Sequence, residues 1–211
     1  MKKYILFDND GVLVHTEPLY YKANIKALKE YFNVELEFNE YMKIMSEGTT
    51  VWQKALTKGF SQKEIEIARN KRNKYYQEFL KTENILIDGV KEVLKELSKN
   101  YRMGIVTTSR RVDFEIIHKD LGIVDFMDFV LCEEDYEFAK PHPQPYLKGL
   151  EIFGAKKDEA IVIEDSTRGL TAAYKAGIEC VIVKNEFTIT QDFSKASYFI
   201  DTLKELKTIL S

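Results

Sequence analysis

Short continuous apolar segments recur along this chain and alternate with longer segments of helical periodicity. Within the short segments polar and apolar residues do not alternate, which indicates strands buried on both faces, as in a parallel sheet covered by helices. We therefore predict an α/β protein with a doubly wound, Rossmann-like parallel sheet. The predicted strands are 4–8, 103–108, 128–132, 160–164 and 180–183, with a weaker candidate near 197–200. The helices predicted between them include 89–100, 111–121 and 166–176, of which the last two stop at glycines.

The segment between the first two predicted strands interrupts this alternation. Residues 15–87 contain helical patterns and no convincing strand, and a connection of that length exceeds what one crossover needs. We predict an inserted α-helical cap domain over 15–87, with 1–14 and 88–211 forming the core that contains the sheet. Its predicted helices cover 17–32, about 39–46 and 50–58, and a fourth runs from the capping box Ser61–Glu64 to about Leu80.

Composition and charge narrow the range of functions. The 211 residues are 45% hydrophobic and 31% charged, which is typical of a folded globular protein. The net charge of −3 is spread without long blocks of one sign, so the sequence does not predict a nucleic-acid partner. Cys132 and Cys180 lie far apart in apolar runs, which favours buried thiols over a disulfide or a metal site.

The N-terminus does not have the pattern of a targeting segment. Lys2 and Lys3 resemble the start of a signal peptide, but the apolar run Tyr4–Phe7 that follows is shorter than the ~7 residues that a signal needs. No apolar stretch approaches the roughly 20 residues of a membrane helix. These observations predict a cytoplasmic protein without a membrane partner. The sequence does not indicate an oligomeric state and is compatible with a monomer.

The first predicted strand ends in two carboxylates, Asp8 and Asp10, followed by Gly11. Ligands of open α/β sheets bind outside the carboxyl ends of the strands, so a site is expected here. One carboxylate suits a nucleophile that attacks phosphorus, and the other suits a general acid and base for the leaving oxygen and the attacking water. Gly11 permits a sharp turn and a close approach of the backbone to phosphate. A bare Asp-x-Asp more often only ends a strand, so the other strand ends decide the interpretation.

A second acidic pair, Glu164 and Asp165, follows another apolar strand, and Ser166 is placed to cap the next helix. The carboxyl ends of parallel strands share one edge of the sheet, so we expect both acidic pairs to lie together. Clustered carboxylates are costly without a cation, and hard oxygen ligands suit Mg²⁺. The sequence therefore predicts a magnesium site at this edge.

Two further segments supply what a phosphate group needs. Thr107, Thr108 and Ser109 end the second core strand with hydroxyl and backbone N–H groups just before a helix N-terminus, which is a natural anion site. Lys140 lies in a loop that contains three prolines, and it is placed to neutralise both Asp8 and a transferring phosphoryl group. Four such features on one sheet edge favour a catalytic site over isolated caps and solvated charges.

These residues together resemble the four motifs of the haloacid dehalogenase superfamily. The matching positions are Asp8-Asn9-Asp10-Gly11-Val12-Leu13, Thr107, Lys140-Pro141 and Glu164-Asp165-Ser166, in that order. The similarity covers nearly the whole chain, because it includes the helical segment after the first motif. It also includes Gly169, Ala173 and Ala176-Gly177 after the fourth.

The resemblance implies a specific chemistry. It implies a phosphoaspartyl intermediate on Asp8, general acid–base catalysis by Asp10, and a phosphate oxygen held by Thr107. It also implies Mg²⁺ bound by Asp8, the main-chain carbonyl of Asp10 and Asp165, with Glu164 assisting through water. The dehalogenases themselves lack the second aspartate and the metal, so Asp10 favours phosphoryl transfer over cleavage of a carbon–halogen bond.

Within the superfamily, the cap and the run Lys140–Tyr146 most resemble β-phosphoglucomutase and the sugar-phosphate phosphatases close to it. Thr16 matches that group's hydroxyl after the first motif, and Lys71 falls near its cap lysine that reaches the substrate. His15 stands where many relatives carry Asp, and Tyr20 stands where the mutase has His.

The loop Ser46–Thr50 also departs from the mutase pattern. It lacks the arginine that in the mutase grips the distal phosphate, and without this bidentate partner a bisphosphate intermediate is less well held. Ser109, Arg110 and Arg111 offer partial compensation. The candidate residues for binding substrate or phosphate are Gly11, Thr16, Lys71, Thr108, Ser109 and Arg110.

Several polar and aromatic side chains have a simpler structural interpretation. Residues 69–74 are mostly basic, and we interpret all of them except Lys71 as a solvated helix face. His118 lies in a predicted helix and is interpreted as a surface or boundary residue. His142 lies in the lysine loop, close enough to touch a substrate. Trp52 is expected in the core of the cap.

Three functions are compatible with these motifs. The first is a phosphatase that acts on a small phosphorylated metabolite, with a sugar phosphate as the favoured class. The second is a phosphomutase of the β-phosphoglucomutase kind, which the missing cap arginine disfavours. The third is a non-catalytic phosphate-binding or switch module, which the intact set of catalytic positions disfavours. The sequence therefore predicts an enzyme of the phosphatase class.

Overall fold

The computed structural model describes residues 1–210. The chain divides into two compact units: Met1–His15 with the chain from Ile85 onward, and Thr16–Asn84. The first unit holds the strands, and the second consists of helices and their connections. Within residues 1–210, no helix is both long enough and apolar enough to span a bilayer.

The helical unit contains four α-helices. They are α1 (Glu17–Phe32), α2 (Phe38–Ser46), α3 (Gln53–Thr57) and α4 (Gln62–Leu80). Helices α1 and α4 pack against each other over much of their length. The apolar side chains that they bury include the small residues Ala23, Ala27 and Ala68 and the larger Leu28 and Tyr76. Close packing of two long helices around small residues gives this unit its own apolar core.

Two sequence predictions for this unit are confirmed. The hydroxyl of Ser61 accepts the backbone N–H of Glu64, and the carboxylate of Glu64 accepts the backbone N–H of Ser61, so α4 begins with the predicted capping box. Trp52 is 3% exposed, and its ring lies 6.3 Å from that of Phe32 in an edge-to-face arrangement. Trp52 is therefore a core residue of this unit.

Within residues 1–210, the other unit is built on one sheet of six parallel strands. They are β1 (Tyr4–Phe7), β2 (Arg102–Val106), β3 (Phe129–Leu131), β4 (Ala160–Glu164), β5 (Glu179–Val183) and β6 (Tyr198–Ile200). Their order in the sheet is β3-β2-β1-β4-β5-β6, and every neighbouring pair is parallel. The predicted doubly wound α/β fold is confirmed, including the weak sixth strand.

The central strands explain the apolar sequence runs. Ile5, Leu6 and Phe7 on β1 are all fully buried, as are Val162 and Ile163 on β4. Helices on both faces of the sheet exclude water from both sets of side chains, so neither strand needs a polar face. The strand order reverses beside β1, because the chain builds β2 and β3 on one side and then β4 on the other. This reversal is a topological switch point, where ligands of such sheets bind.

Among the described residues of the sheet unit there are five α-helices. They are α5 (Val90–Leu97), α6 (Arg111–His118), α7 (Gln144–Phe153), α8 (Thr167–Ala176) and α9 (Leu206–Leu210). Helices α5 and α6 end about three residues before their predicted ends, and the sequence analysis did not identify α7 and α9. Helix α7 is not predicted because its first turn carries Pro145, the last of three closely spaced prolines that indicate a loop, although proline is compatible with the start of a helix.

Candidate active site

The acidic loop after β1 is fixed by backbone hydrogen bonds. The N–H of Asp8 donates to the carbonyl of Ile163 on β4 at 2.8 Å, so strand pairing continues one residue beyond β1. The chain then turns, and the carbonyl of Asn9 accepts N–H groups from the residues that follow. Gly11 has a φ of +77°, which residues with a Cβ atom rarely adopt. The turn places the carboxylates of Asp8 and Asp10 at the C-terminal edge of the sheet.

Lys140 links the ends of three neighbouring strands. Its Nζ lies 2.6 Å from Oδ1 of Asp8 and 2.7 Å from Oε1 of Glu164. It also donates to the carbonyl of Val106, the last residue of β2, at 2.8 Å. Lys140 is only 4% exposed, and these three acceptors use the three N–H donors of its ammonium. The loop that carries it continues through a cis peptide bond to Pro141.

Burial and neighbouring charges together set the protonation of this cluster. The pKa of Asp8 is raised to about 7, mainly by burial and next by the negative charge of Glu164. The positive charge of Lys140 opposes this shift. Burial also disfavours the charged form of Glu164, but the ammonium of Lys140 outweighs it and lowers the pKa of Glu164. Burial likewise opposes the charge on Lys140, yet the two carboxylates raise its pKa above that of a free lysine. Without a further cation, Asp8 is therefore only partly ionised at neutral pH.

Glu164 is a fully buried carboxylate that accepts hydrogen bonds on both oxygens. Besides Lys140, Oε1 accepts the hydroxyl of Tyr146 at 2.7 Å. Oε2 accepts the backbone N–H groups of Asp165 and Ser166 at 3.1 and 3.2 Å, and the hydroxyl of Ser166 at 3.0 Å. The same hydroxyl accepts the N–H of Gly169 and caps α8. Glu164 thus holds both Lys140 and the start of α8 in place.

Asp165 is held by an asparagine that the sequence analysis missed. Oδ2 of Asp165 accepts a hydrogen bond from Nδ2 of Asn185 at 2.7 Å. The carbonyl oxygen of the Asn185 side chain accepts the backbone N–H of Phe187 at 2.8 Å, which fixes the amide so that its NH₂ group faces Asp165. Asn185 follows β5, so a search that included the end of every strand would have found it.

The carboxylates of Asp8, Glu164 and Asp165 form a cluster that fits a divalent cation. One oxygen from each residue lies within 4.8 Å of the others, and all three residues are buried. Lys140 offsets only part of their negative charge, and carboxylate oxygens are the ligands that Mg²⁺ prefers. The side chain of Asp10 is not part of this cluster, so only its main-chain carbonyl remains as the expected ligand from that residue. The identity of the cation as Mg²⁺ stays a prediction.

Asp10 joins the loop after β1 to the loop after β2. Its Oδ2 accepts the hydroxyl of Ser109 at 2.6 Å and, at 3.3 Å, the hydroxyl of Thr107. It also accepts Nδ2 of Asn9 at 3.3 Å. The hydroxyl of Thr107 in turn accepts the backbone N–H of Ser109 at 3.0 Å. Three residues that the sequence analysis singled out, from two separate motifs, are thus brought together, while Thr108 lies half-buried beside them.

The position of His118 differs from the one predicted from the sequence. It was interpreted as a surface or boundary residue, but it is only 9% exposed, and its Nε2 lies 2.7 Å from Oδ1 of Asn9. Its ring lies against that of Phe114, with centroids 4.1 Å apart. Burial lowers the pKa of His118 to about 4, against the opposing charge of Asp10. The interpretation was wrong because His118 lies one helical turn after Phe114, on the face of α6 that packs inward.

The two arginines after the second motif are bound by other carboxylates. Arg110 donates from Nε and Nη2 to Oδ2 of Asp113 at 2.8 and 2.6 Å. Arg111 forms an ion pair with Asp135. Among residues 1–210, the guanidinium groups of both arginines therefore pair with these carboxylates rather than with Asp8. Arg110, a candidate phosphate ligand, would have to leave Asp113 to reach a substrate.

Thr16 and Lys71, two further candidates, lie in the helical unit. Thr16 is buried just before the first residue of α1. Lys71 is half-buried on α4, and its Nζ lies 5.0 Å from the ring centroid of Tyr75. In the sheet unit, His15 and His142 are both exposed.

The position of Arg72 also differs from the one predicted from the sequence. The sequence analysis placed it on a solvated helix face, but it is only 7% exposed. Its Nη1 donates to Oδ1 of Asn24 on α1 at 3.1 Å, and its guanidinium lies 4.3 Å from the ring centroid of Tyr20. Arg72 follows the buried Ala68 by one helical turn, so it lies on the face of α4 that packs against α1. Stacking on an aromatic ring allows this charge to be buried.

Two tyrosines complete the surroundings of the cluster, and the sequence analysis identified neither as a site residue. Tyr146 on α7 is fully buried, donates to Glu164, and places its ring 4.7 Å from Nζ of Lys140. The hydroxyl of Tyr136 donates to the carbonyl of Thr107. Only a prediction of helix α7 could have indicated the position of Tyr146, and this helix was not predicted. Tyr136 lies in an irregular loop, where no periodic sequence pattern indicates its position.

Comparison with known proteins agrees with this geometry. A family model described as "haloacid dehalogenase-like hydrolase" matches residues 5–183. The chain is 26% identical to the pyrophosphatase PpaX of Bacillus mycoides (strain KBAB4), over 98% of this chain and 96% of that protein.

Solved structures share this fold. A protein described as a "predicted phosphoglycolate phosphatase" from Haemophilus somnus 129pt has a TM-score of 0.87 at 24% identity, covering 100% of this chain and 98% of its own. CbbY from Rhodobacter sphaeroides, solved with phosphate and, as a variant, with xylulose-(1,5)bisphosphate, has a TM-score of 0.82 at 22% identity over 98% of this chain and 96% of its own. The predicted enzyme class is confirmed, and the chain belongs to the haloacid dehalogenase-like hydrolase family.

Proposed function

We propose that this protein is a Mg²⁺-dependent phosphatase that hydrolyses a small phosphorylated metabolite, with a sugar phosphate as the favoured class. The observation that carries the proposal is the buried pair of Asp8 and Lys140, 2.6 Å apart, at the switch point of the sheet. Asp165 lies in the same cluster, and Asp10 lies two residues along the chain with its carboxylate held by hydroxyl groups. A phosphoaspartyl mechanism requires these groups: a nucleophile, a cation, a metal ligand and a proton carrier.

In the first half of the reaction, a carboxylate oxygen of Asp8 attacks phosphorus. A bond forms between that oxygen and phosphorus, and the bond from phosphorus to the leaving oxygen breaks. The electron pair of the broken bond stays on the leaving oxygen, which takes a proton from Asp10. The products of this step are the dephosphorylated metabolite and a phosphorylated Asp8.

In the second half, water hydrolyses the phosphoaspartate. Asp10, now ionised, takes a proton from the water as its oxygen attacks phosphorus. The bond between phosphorus and the oxygen of Asp8 breaks, which returns the electron pair to the carboxylate and releases inorganic phosphate. Asp10 thus ends the cycle protonated and ready for the next substrate.

Charge on the transferring group is balanced by the residues around it. Lys140 is protonated and buried, so its charge acts in a medium of low dielectric constant. We assign the hydroxyls of Thr107 and Ser109, and backbone N–H groups near Gly11 and Thr108, as donors to the phosphoryl oxygens. A substrate phosphate would then compete with Asp10 for the two hydroxyls.

The raised pKa of Asp8 provides a reason for a metal. A nucleophilic carboxylate has to be ionised, and burial raises the pKa of Asp8 and so disfavours its ionised form. When bound, Mg²⁺ would supply the positive charge that favours ionised Asp8 and offsets charge on the phosphoryl oxygens. Its proposed ligands are Asp8, Asp165 and the main-chain carbonyl of Asp10, with Glu164 assisting through water.

The relatives support a small phosphorylated substrate. One is named a pyrophosphatase, one a phosphoglycolate phosphatase, and one was solved with a sugar bisphosphate. We propose that the helical unit acts as a cap that excludes bulk water and selects the organic part of the substrate, with Thr16 and Lys71 as substrate contacts. The loop Ser46–Thr50 is exposed and carries no arginine, which favours hydrolysis over mutase chemistry.

The test is a measurement of released phosphate from a panel of phosphorylated metabolites, including pyrophosphate, with Mg²⁺ and with a chelator. Asp8→Asn, which keeps the size of the side chain, is the matched control. We expect release that requires Mg²⁺ and is absent in the control. β-Glucose 1-phosphate is followed separately, because isomerisation to the 6-phosphate without net release would establish a mutase instead. Equal release by wild type and Asp8→Asn would refute the proposal.

A further inference from the structure

A buried chain of hydrogen bonds connects α6 to the proposed acid–base residue. Nε2 of His118 lies 2.7 Å from Oδ1 of Asn9, and Nδ2 of Asn9 lies 3.3 Å from Oδ2 of Asp10. Asn9 is fully buried, and His118 is 9% exposed. The ring of Phe114, 4.1 Å away between centroids, packs on the imidazole and limits its rotation.

This geometry selects one tautomer of His118 and one orientation of the Asn9 amide. Oδ1 of Asn9 can only accept, so Nε2 of His118 has to carry the hydrogen. If the amide were reversed, Oδ1 of Asn9 would face the carboxylate of Asp10, and two acceptors would repel each other. Nδ1 of His118 has no partner among residues 1–210. An unprotonated Nδ1 avoids leaving a buried N–H donor unpaired, so the ring is neutral with its hydrogen on Nε2.

We infer that His118 is a positioning residue for the proposed phosphatase reaction: through the amide of Asn9 it holds Asp10 in the orientation needed for proton transfer. The inference rests on the proposed function. The backbone of Asn9 contributes as well, because its carbonyl accepts the N–H groups of Leu13 and Val14 at 2.8 and 3.2 Å. These hydrogen bonds fix the backbone of the turn. A change in the orientation of the Asn9 amide therefore acts on the carboxylate of Asp10, to which the amide donates.

His118 does not itself exchange protons with Asp10. An amide side chain neither gains nor loses a proton near neutral pH, so Asn9 cannot relay one between the imidazole and the carboxylate. The contribution of His118 is therefore orientation, and its loss lowers the rate of proton transfer without removing a catalytic group. Ser109 and Thr107 also donate to Oδ2 of Asp10, so the loss is partial.

The first experiment compares His118→Phe with His118→Gln. Phenylalanine keeps the ring shape but has no donor, whereas the amide nitrogen of glutamine reaches about the position of Nε2 and can donate to Asn9. We expect His118→Phe to lower kcat on the order of tenfold with KM nearly unchanged, a part of the roughly 10²- to 10⁴-fold that general acid–base catalysis contributes. His118→Gln should recover most of the loss. Ile117→Val, a packing change at the adjacent buried residue, is the control and should leave kcat unchanged.

A second measurement separates positioning of Asp10 from general damage to the fold. The leaving oxygen of an alkyl phosphate needs a proton from Asp10, whereas p-nitrophenol departs as a stable anion. The loss of kcat/KM in His118→Phe should therefore be several-fold larger for an alkyl phosphate than for p-nitrophenyl phosphate. An equal loss on both substrates, or no loss on either, would overturn the inference while leaving the phosphatase proposal standing. Absence of activity in the wild type would instead refute the phosphatase.

A third measurement does not depend on activity. The chain contains 3 histidines, so the ring nitrogens of His118 can be assigned by ¹⁵N NMR with His118→Gln as the reference. We expect a neutral ring with its hydrogen on Nε2 in the wild type at neutral pH. In Asn9→Leu, which removes the acceptor, the share of the Nε2–H tautomer should fall toward that of a free neutral imidazole. Hydrogen on Nδ1 in the wild type would contradict the inference, even if His118→Phe does not fold.

Discussion

Gly169 lies directly against the carboxylate of Glu164: a Cβ built at residue 169 would fall 1.7 Å from Oε1. No side chain fits there, because Glu164 is fully buried and accepts hydrogen bonds from Lys140 and Tyr146 on the same oxygen. The first turn of α8 can approach the end of β4 only with glycine at this position. The buried ion pairs of the site thus depend on Gly169, although this residue has no side chain that takes part in them.

Gly169→Ala should therefore destabilise the protein and reduce its activity. Overpacking of a filled interior costs about 1–3 kcal/mol, and the displaced carboxylate would move Lys140 with it. Urea unfolding gives the change in the free energy of unfolding. In a Glu164→Ala background, where the clash is removed, Gly169→Ala should cost much less. An equal cost in both backgrounds would show that the close approach is not what requires glycine.

Lys140→Met should have a large effect on stability. Lys140 is the ammonium between Asp8 and Glu164, and removing one member of a buried ion pair costs roughly 3–5 kcal/mol because the partner charges stay buried. Unfolding without added metal should show this loss. Lys99→Met, which removes the exposed pair with Glu96, is the matched control and should change stability little. Similar stability of Lys140→Met and the wild type would contradict the assigned charges of the cluster.

Asn185→Ala should weaken metal binding rather than chemistry. Asn185 holds Oδ2 of Asp165 at 2.7 Å, and loss of a residue that orients a metal ligand typically reduces affinity about 10- to 100-fold. The concentration of Mg²⁺ that gives half-maximal activity should rise by this factor, with the rate at saturating Mg²⁺ largely retained. An unchanged requirement for Mg²⁺ would argue against Asp165 as a ligand.

His118 should make the stability of the protein sensitive to mild acid. Its pKa is about 4 in the folded chain, against about 6.5 for an unfolded histidine, so between these values the unfolded chain binds more protons. Stability is then fully present above pH ~6.5 and falls by about 1.4 kcal/mol per unit as the pH drops toward 4. Chemical unfolding at several pH values should show a steeper decline for the wild type than for His118→Phe. Parallel curves would mean that His118 is not buried in its neutral form.

The strand pattern predicted the site because a parallel sheet brings the ends of distant strands to one edge. Asp8, Thr107 and Glu164 lie at the ends of three apolar runs, and once the runs are adjacent parallel strands these residues have to be close. Lys140 does not follow a strand directly, and the sequence indicated it only as a cation in a proline-containing loop, since its place in the cluster depends on the path of that loop. The closure of the helical unit over this edge stays a prediction.

The residues that sequence analysis misassigned are polar side chains buried by tertiary packing. Arginine is a mostly exposed residue type and histidine an intermediate one, so residue type alone does not predict that Arg72 and His118 are buried. Each is buried because it has a specific partner, Asn9 for His118 and Asn24 for Arg72, on an element distant in the sequence. Such pairs cannot be identified before the packing of the helices is known.

Detection of phosphate on Asp8 tests the central claim most directly. Asp10→Asn retains the nucleophile but lacks the base that activates water. The phosphorylated form should therefore accumulate when this variant is mixed with Mg²⁺ and p-nitrophenyl phosphate, whose leaving group needs no proton from Asp10. Acid quenching, proteolysis and mass spectrometry should then find one added phosphoryl group on the peptide that contains Asp8. The Asp8→Asn/Asp10→Asn double variant should show none. A wild type that turns over substrate while Asp8 is never phosphorylated, or an Asp8→Asn variant that stays active, would contradict the account.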